Sequence, residues 1–389
     1  MGNVRGIKEK DSYTLYAEGR IDSANAAPVE KQINELLAGY EGRDLVIDCT
    51  ELEYISSAGL RIILRLRKQY PGLRISNAST EVYEILDMTG FTEMMPVERA
   101  YRSISIDGCE VIGQGSNGIV YRIDPDTVVK VYKNPDSLDE IRHEREVARK
   151  ALILGIPTAI SYDIVRVGEN YATMFELVNA KSISRLIQEE PQNIDKYIDL
   201  FVGLLKQIHS TVVEKGELPE QKETVLGWVH WLEPHLPKDQ YAKLLALVEA
   251  VPQTEHLIHG DYHTKNVMIQ GDELIMIDMD TLAVGNPVFE FAPIYLAYKS
   301  FGELDQARVV DFIGMPWDTA QYFRRETFRR YLGTEDEEKI KEAENKALLI
   351  GHVRMLQRTI KRFPDNTAQI ELSKKYIAEL LEKTDSLAF

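Results

Sequence analysis

The sequence predicts a small α/β domain followed by a larger α+β domain, which begins with strands and continues mostly as helices. Over roughly the first hundred residues, short apolar strand patterns alternate with amphipathic helical patterns, as is typical of α/β folds. A hairpin pattern with three glycines then leads into further strands, and helical spacing dominates the rest of the chain. We therefore expect one domain at residues 1–102 and a second at residues 103–389.

The individual elements follow from the spacing of apolar residues. In the first domain, strands are predicted at 13–17, 44–48 and 73–75, and helices at 24–37, 55–64 and 81–87. In the second domain, strands are predicted at 119–123, 128–132, 171–178, 257–258, 267–269 and 274–277. Helices are predicted there at 194–209, 226–231 and 241–251, and again beyond residue 301.

The composition indicates a folded protein of a reducing compartment. Of its 389 residues, 44% are hydrophobic and 28% are charged, which is the usual range for globular domains. The formal net charge of −16 argues against nucleic acid or an anionic membrane as the principal partner. The two cysteines, Cys49 and Cys109, make no disulfide framework, and no apolar stretch reaches the ~20 residues of a membrane span. We expect a cytoplasmic protein without a secretion signal.

A polar segment between two apolar runs carries the strongest functional pattern. The segment reads His259-Gly260-Asp261-Tyr262-His263-Thr264-Lys265-Asn266. An aspartate, a later asparagine and a second aspartate at a strand end, here Asp278, are the groups that phosphoryl transfer uses. Asp261 would orient the nucleophile, while Asn266 and Asp278 would hold Mg²⁺. Lys265 either neutralises charge on the transferred group or is a solvated lysine.

A glycine-containing hairpin pattern precedes this segment and matches G-x-G-x-x-G-x-V. Its positions expected to contact nucleotide phosphates are Gly113, Gly115, Ser116, Gly118 and Val120. Strand patterns follow the glycines, instead of the helix of a dinucleotide-binding fold, and glycine lets the backbone approach a phosphate closely. Lys130, on the next strand, supplies a positive charge. We favour Glu146 over Glu144 as its carboxylate partner, with a solvated helix face as the alternative for either glutamate.

Together these motifs resemble the aminoglycoside phosphotransferase and choline kinase family, a small-molecule branch of the protein-kinase-like fold. The resemblance runs from about Ser105 to the C-terminus. It implies a two-lobed α+β domain, with an N-lobe at about 103–180 and a mostly helical C-lobe at about 181–389, and it implies ATP and Mg²⁺ as cofactors. The positions implied at the adenine site are Met174, Glu176 and Val178, with a core methionine as the alternative for Met174.

Two departures from protein kinases point to a small-molecule acceptor. Gly260 stands where protein kinases commonly have an arginine that grips a phosphorylated activation loop. No long activation segment follows Asp278, so the usual docking segment for protein substrates is missing. The chain instead enters an apolar helix that contains Glu290, where family members usually have aspartate.

The first domain resembles the STAS domain of anti-sigma-factor antagonists over roughly residues 3–100. The residues that carry the resemblance are Gly19-Arg20-Ile21-Asp22, Tyr54-Ile55-Ser56-Ser57-Ala58-Gly59-Leu60 and Met88-Thr89-Gly90-Phe91. The resemblance implies phosphorylation at Ser57, with Asp22 nearby, and binding of a protein partner. A helix N-terminus accommodates the new negative charge. The alternative is that Ser56 and Ser57 only cap the helix; Ser56 also stands where phosphorylated members often have aspartate.

Two functional hypotheses follow. The leading one is an ATP- and Mg²⁺-dependent phosphotransferase that acts on a hydroxyl acceptor, preferably a small molecule, and is coupled to a STAS signalling domain. The alternative is a partner-switching regulatory module whose kinase domain phosphorylates Ser57 or a partner protein, or only binds nucleotide. The presence of Lys130, Asp261, Asn266 and Asp278 favours an active enzyme.

Overall fold

This computed structural model describes residues 2–8, 12–42, 44–115, 117–177 and 180–389. The chain folds as two compact units. The first comprises Met1–Gly108 with Ile164–Ala172, and the second comprises Cys109–Asp163 with Thr173–Phe389. None of the helices in the described ranges is both long enough and apolar enough to cross a membrane.

Strands and helices alternate in the first unit, as the sequence predicts. The strands are β1 (Asn3–Lys8), β2 (Ser12–Ile21), β3 (Asp44–Ile55), β4 (Arg74–Ala78) and β5 (Val97–Arg99), and the helices are α1 (Ala26–Leu36), α2 (Ser57–Gln69), α3 (Thr80–Met88) and α4 (Phe91–Met94). The strands form one sheet in the order β1-β2-β3-β4-β5, in which β1 is antiparallel to β2 and the others are parallel. Parallel neighbours need crossover connections, which the helices supply.

One helix of this unit starts later than the sequence predicts. Ile55 belongs to β3, where it pairs with Ile21 of β2, and α2 begins only at Ser57. The apolar residues Leu60, Ile63 and Leu66 recur on one face of α2 and are buried in the core of the unit. Strand β3 therefore continues through Ile55, whose side chain is buried in the same core.

A strand-rich lobe begins after Cys109; most of it belongs to the second unit, while its segment Ile164–Ala172 belongs to the first. Its elements are β6 (Glu110–Gln114), β7 (Gly118–Arg122), β8 (Thr127–Tyr132), α5 (Leu138–Ile153), β9 (Ser161–Val167) and β10 (Asn170–Glu176). The sheet order is β6-β7-β8-β10-β9, with β6, β7 and β8 as antiparallel neighbours. Helix α5 follows the strand that carries Lys130 and buries its apolar residues Ile141, Val147 and Ala151.

The rest of the second unit is mostly helical, with short strands around the polar segment. These elements are β11 (Lys181–Ser182), α6 (Ile183–Glu189), α7 (Ile194–Ser210), α8 (Gln221–Trp231), α9 (Lys238–Glu249), β12 (Leu257–Ile258), β13 (Val267–Gln270), β14 (Glu273–Met276), β15 (Ala283–Val284), α10 (Pro287–Tyr298), α11 (Ala307–Ile313), α12 (Trp317–Leu332), α13 (Glu337–Arg362) and α14 (Thr367–Lys383). The strands pair in the orders β11-β13-β14 and β12-β15. The predicted fold class, an α/β domain followed by a two-lobed α+β domain with a helical second lobe, is confirmed.

Helix α10 lies at the centre of the helical lobe. Its residues from Val288 to Tyr298 are all buried, as expected of a helix that is apolar on every side. It packs against α13, and its one acidic residue, Glu290, is fully buried. A buried carboxylate needs hydrogen-bond donors. The donors to Glu290 are the backbone N–H groups of His259 and Gly260.

Candidate active site

The segment from His259 to Asn266, here called the catalytic loop, connects β12 to β13. The backbone N–H groups of His259 and Gly260 both donate to the Glu290 carboxylate, Gly260 at 3.0 Å. The Thr281 hydroxyl donates to the carbonyl of His259 at 2.7 Å. Glu290 therefore holds the start of the catalytic loop through two backbone hydrogen bonds.

Gly260 is required by the backbone of the catalytic loop. Its φ of +80° lies in the left-handed region that side chains other than glycine rarely adopt. A Cβ at this position would also lie 2.5 Å from the carbonyl oxygen of Thr281. The arginine of protein kinases therefore cannot stand here without a rearrangement of the loop.

The second half of the loop is held from the helical lobe. The Tyr262 hydroxyl donates to the Phe201 carbonyl at 2.7 Å, and the N–H of Thr264 donates to the Tyr298 hydroxyl at 3.0 Å. The Asn266 amide nitrogen donates to the Asp261 carbonyl at 3.1 Å, which leaves its side-chain oxygen as the atom able to bind a cation. The last of these contacts joins Asp261 to Asn266, which are five residues apart in the motif.

Asp261 remains accessible, with 34% of its side chain exposed. Its carboxylate lies 3.8 Å from Arg354 Nη2 and 3.7 Å from His263 Nε2. Burial lowers the pKa of His263 and outweighs the opposing effect of Asp261, so the imidazole is favoured in its neutral form. Arg354 also donates to the Gly260 carbonyl at 3.2 Å. Sequence reasoning missed Arg354, because nothing in a motif connects positions so far apart.

Asp278 follows β14 and has a φ of +64°, an uncommon conformation for a residue with a side chain. The neighbouring N–H of Ile277 donates to the Asn266 carbonyl at 3.0 Å, which brings Asn266 and Asp278 to the same edge of the β13–β14 hairpin. Two residues further on, burial and the charges of Asp278 and Glu144 raise the pKa of Asp280 to about 7. Negative charge is thus in excess around Asp278.

Lys130 lies between two carboxylates. Its Nζ is 2.8 Å and 3.1 Å from the two Glu144 oxygens and 3.4 Å from Asp278 Oδ1. Burial would lower the pKa of Lys130, but Glu144, Tyr132 and Asp278 together raise it well above its usual value. The lysine therefore keeps its charge in a place that is largely shielded from solvent.

The prediction that Glu146 pairs with Lys130 is wrong, because Lys130 pairs with Glu144. On α5, Glu144 is buried on the face that also carries Ile141 and Val147. Glu146 stands two residues further along the chain, about 200° around the helix. Its side chain is 65% exposed and lies 3.3 Å from Lys150. The 3.6-residue period of the buried positions in α5 could have identified Glu144 from the sequence.

The glycine hairpin forms one wall of the same cleft. Gly113, Gly115, Gly118 and Val120 all line it. A Cβ on Gly118 would lie 2.6 Å from the Val131 carbonyl oxygen, so the close approach of β7 to β8 requires glycine there. The Lys133 ammonium donates to the Gly115 carbonyl at 2.8 Å, which holds the turn. Ser116 and Val178 lie outside the described residues.

The cleft has a volume of about 1030 Å³ and joins the predicted site residues. Lys130, Glu176, Asp261, Lys265, Asn266 and Asp278 all line it. Met174 is buried in β10, as the core alternative expected, and its neighbours Phe175 and Leu177 line the cleft beside Glu176. Lys265 Nζ lies 5.7 Å from the ring centre of Phe312. The cleft therefore brings the cations Lys130 and Lys265 together with the side-chain oxygens of Asp261, Asn266 and Asp278.

The Ser57 region belongs to the first unit. Ser57 is exposed in the first turn of α2. The preceding Ser56 occupies the N-cap position, but its hydroxyl makes no capping hydrogen bond. Its N–H donates to the Ile21 carbonyl at 2.8 Å, so Asp22 and Ser57 follow two parallel strands at the same edge of the sheet. The capping alternative thus finds no support in the hydroxyl contacts of Ser56.

The comparison with known families agrees with this geometry. A family model described as the phosphotransferase enzyme family matches residues 108–343, more than half of the chain. The chain belongs to the phosphotransferase enzyme family. A second family model, for the STAS domain, matches residues 6–104, so this phosphotransferase carries a STAS domain ahead of its kinase-like part.

Two known relatives are similar to part of this chain. BtrV of Bordetella bronchiseptica, by its name an anti-sigma factor antagonist, is 33% identical over 84 residues, which cover 21% of this chain and 72% of that protein. The anti-sigma-B factor antagonist of Listeria monocytogenes is 30% identical over 98 residues, which cover 24% of this chain and 85% of that protein. Both matches concern the STAS domain.

Solved structures support the fold of the remainder. The aminoglycoside phosphotransferase APH(4)-Ia is similar at a TM-score of 0.50 and 13% identity, covering 72% of this chain and 94% of that one. A thermostable variant of it, in a ternary complex with AMP-PNP and hygromycin B, is similar at a TM-score of 0.51 and 12% identity with the same coverage. At this level of identity the similarity shows the fold.

Proposed function

We propose that this phosphotransferase moves the γ-phosphoryl group of ATP to a hydroxyl group of a small molecule, with Mg²⁺ as its cofactor. The proposal rests on one observation. Lys130 lies within 3.4 Å of both Glu144 and Asp278, in a cleft that Asp261 and Asn266 also line. The nucleotide analogue named in the related APH(4)-Ia structure is in keeping with a nucleotide donor.

The strand-rich lobe would bind the nucleotide. Lys130, held by Glu144 and permanently charged, is suited to pair with phosphate oxygens, and the backbone of the glycine hairpin would lie over them. Leu177 and Glu176 line the end of the cleft where the adenine would lie. The Asp278 carboxylate and the Asn266 side-chain oxygen would hold Mg²⁺, which supplies positive charge next to the transferred group.

These oxygen donors fit Mg²⁺ rather than a tightly caged metal. Magnesium in phosphate-transfer sites is commonly held by one or two carboxylates and by substrate phosphates. In the described ranges, no group of three or more His, Cys, Asp or Glu side chains is arranged to hold a metal by itself.

Asp261 would take the proton of the acceptor. As the acceptor oxygen forms its bond to the γ-phosphorus, the bond to the β-phosphate oxygen breaks, ADP leaves, and the hydroxyl proton passes to the Asp261 carboxylate. Lys265, which lines the same cleft, would offset charge on the transferred group. Only residues 279–286 separate Asp278 from α10, which leaves no docking segment for a protein substrate.

Replacing Asp261 with Asn tests the chemistry. We expect Asp261→Asn to lower phosphoryl transfer by ~10²–10⁴-fold, because the amide cannot accept the hydroxyl proton. Nucleotide binding should stay close to that of the parent, since Lys130 and Glu144 are untouched. ADP release and the titration of a fluorescent ATP analogue measure the two effects. Unchanged turnover would remove Asp261 from the mechanism.

Replacing Asp278 tests the metal. We expect Asp278→Asn to weaken the Mg²⁺-dependent part of ATP affinity by about ten-fold or more, since a charged oxygen ligand becomes neutral. Asn266→Ala should have a smaller effect, because it removes a neutral ligand. A Mg²⁺ titration at fixed fluorescent nucleotide measures both. If both variants respond to Mg²⁺ as the parent does, the metal assignment is wrong.

We further propose that the STAS domain is the signalling part and that it binds a protein partner. Support comes from the exposed Ser57 at the start of α2 and from the likeness to anti-sigma factor antagonists. A phosphate on Ser57 would lie beside the free N–H groups of the first helical turn, which favour negative charge. Phosphorylation of Ser57 by the kinase-like domain is the second candidate function.

A further inference from the structure

The helical side of the cleft is rich in positive charge. In the described part of the chain, the carboxylates that line this side are those of Asp261 and Asp278. The cations that line it are Lys265, Arg308, Arg354 and Arg358. They come from the catalytic loop, α11 and α13. The chain as a whole carries −16, so its composition does not explain this local excess of positive charge.

The two arginines of α13 differ in what they already contact. Arg354 donates to the Gly260 carbonyl and lies 3.8 Å from Asp261 Oδ1, so it helps to hold the catalytic loop. Arg358 stands one turn later and lies on the same face of α13. Among the described residues, the Arg358 guanidinium has no ion-pair or hydrogen-bond partner. An available guanidinium fork thus lines the cleft.

The surroundings of Arg358 disfavour its own charge. Burial lowers the pKa of Arg358, and the like charges of Arg362 and Arg354 lower it further, while Asp261 opposes them only weakly. A bound anion would relieve this repulsion. Guanidinium groups bind carboxylate and phosphate oxygens through two parallel hydrogen bonds, a geometry that an ammonium ligand cannot use.

The same side of the cleft is also apolar. Its walls include Leu296, Phe301, Phe312, Met355 and Phe363. Phe363 is 60% exposed, and Phe301 and Phe312 are themselves in edge-to-face contact with ring centres 5.1 Å apart. Apolar and aromatic surface that is open to a cleft favours a ligand with an apolar body.

We propose that the acceptor is an alcohol that combines an apolar body with an anionic group, either a carboxylate or a phosphate monoester. Arg358 and Arg308 bind the anionic group, the aromatic wall holds the body, and the hydroxyl reaches Asp261. This inference rests on the proposed function, since it names the acceptor class of the same site. It also means that polycationic aminoglycosides are poor acceptors, because they would meet arginines where they need carboxylates.

Four alcohols on one skeleton test this proposal. They are para-(hydroxymethyl)benzoate, para-(hydroxymethyl)phenyl phosphate, para-(hydroxymethyl)benzylamine and the uncharged para-methylbenzyl alcohol. Phosphorylated product is measured by mass spectrometry with the full-length protein and Mg·ATP. We expect one or both anionic alcohols to have a higher kcat/KM than the others, and the two anionic compounds distinguish carboxylate from phosphate recognition.

Arg358→Gln is the decisive variant, with Arg362→Gln as its control on the same helix. Loss of a charged hydrogen-bond donor should raise the KM for the anionic alcohol by about ten- to hundred-fold relative to the KM for the neutral alcohol. Arg362 does not line the cleft, so its variant should keep the preference. Equal use of all four alcohols, a preference for the ammonium compound, or an anion preference that survives Arg358→Gln would overturn the proposal.

A binding measurement separates this inference from the proposed function. Calorimetric titration with benzoate, phenyl phosphate and benzylamine requires no turnover. Anion binding that Arg358→Gln abolishes, with no transfer to any alcohol, supports the anion site and counts against the proposed function alone. Transfer without anion preference counts against the anion site alone. Absence of both transfer and anion binding overturns the inference as well.

Discussion

Lys130 keeps its charge in a buried place because Glu144 compensates it. The ion pair has 17% and 10% of its two side chains exposed, so neither group is well solvated. Removing one partner of such a pair lowers the stability of the protein, because the other charge then remains buried without compensation. The pair therefore fixes the position of the ammonium in the cleft. In the proposed function, loss of Glu144 would impair nucleotide binding through Lys130.

Glu144→Gln and Glu146→Gln form a matched pair for this interpretation. The first should lower kcat/KM for ATP by about ten- to hundred-fold, since Lys130 loses a charge-assisted hydrogen bond of about 1.5–3 kcal/mol. The second should have no measurable effect, because Glu146 makes only a solvent-exposed pair with Lys150. Steady-state turnover at varied ATP measures both. A larger effect of Glu146→Gln would mean that the pairing seen on α5 is not the functional one.

At the scale of elements, the catalytic loop is shaped by groups outside it. Glu290 on α10 holds its first residues, and Tyr298, at the end of the same helix, holds Thr264. Since α10 is buried from Val288 to Tyr298, the loop is attached to an element in the core of the helical lobe. The Thr281 hydroxyl donates to the His259 carbonyl and so connects the loop to the turn after Asp278.

Gly260→Ala tests whether the backbone of the catalytic loop requires glycine at this position. The new Cβ would lie 2.5 Å from the Thr281 carbonyl oxygen in a left-handed backbone, which should cost about 1–3 kcal/mol of unfolding free energy. Gly203→Ala, on the exposed face of α7, is the control and should be neutral or stabilising by ~0.5–1 kcal/mol. Urea unfolding and turnover measure both variants. Parent-like stability and activity of Gly260→Ala would contradict the required left-handed glycine.

At the scale of the whole molecule, a phosphotransferase and a domain with a candidate phosphorylation site share one chain. Fusion raises the effective concentration of Ser57 at the kinase to the order of millimolar, provided the geometry allows approach. The exposed hydroxyl of Ser57 is accessible to a second molecule as well.

The positive charge near Arg358 is local, because the whole chain has a formal net charge of −16. The net charge therefore does not predict the charge of the proposed acceptor side of the cleft.

Incubation with Mg·ATP tests the second candidate function. If the kinase-like domain phosphorylates Ser57, the intact mass should rise by one phosphate, and both Ser57→Ala and Asp261→Asn should abolish the gain. Mixing Asp261→Asn with Ser57→Ala protein then distinguishes transfer between chains from transfer within one. A phosphate that persists in Ser57→Ala excludes Ser57 as the site. No gain in mass would leave the STAS domain as a partner-binding domain only.

The sequence by itself determined the fold class and the proposed catalytic groups. Asp261 and Asn266 lie on one loop, and Asp278 follows the next hairpin. Because few residues separate them, the local fold brings their side chains to the same cleft. The glycines and Lys130 belong to consecutive strands, and local pairing again brings them together. Such contacts are predictable because few residues separate the partners and the element type sets the geometry.

Only the tertiary structure decided which distant side chains complete the cleft. The rotation of α5 selects Glu144 over Glu146, because burial of its apolar face fixes the direction of every side chain on that helix. Arg354 reaches the catalytic loop and Arg358 lines the cleft because α13 packs against α10, a contact that no motif records. The fit of Glu290 under the loop depends on the same packing. Side chains far apart in sequence meet only where the packing of whole helices places them.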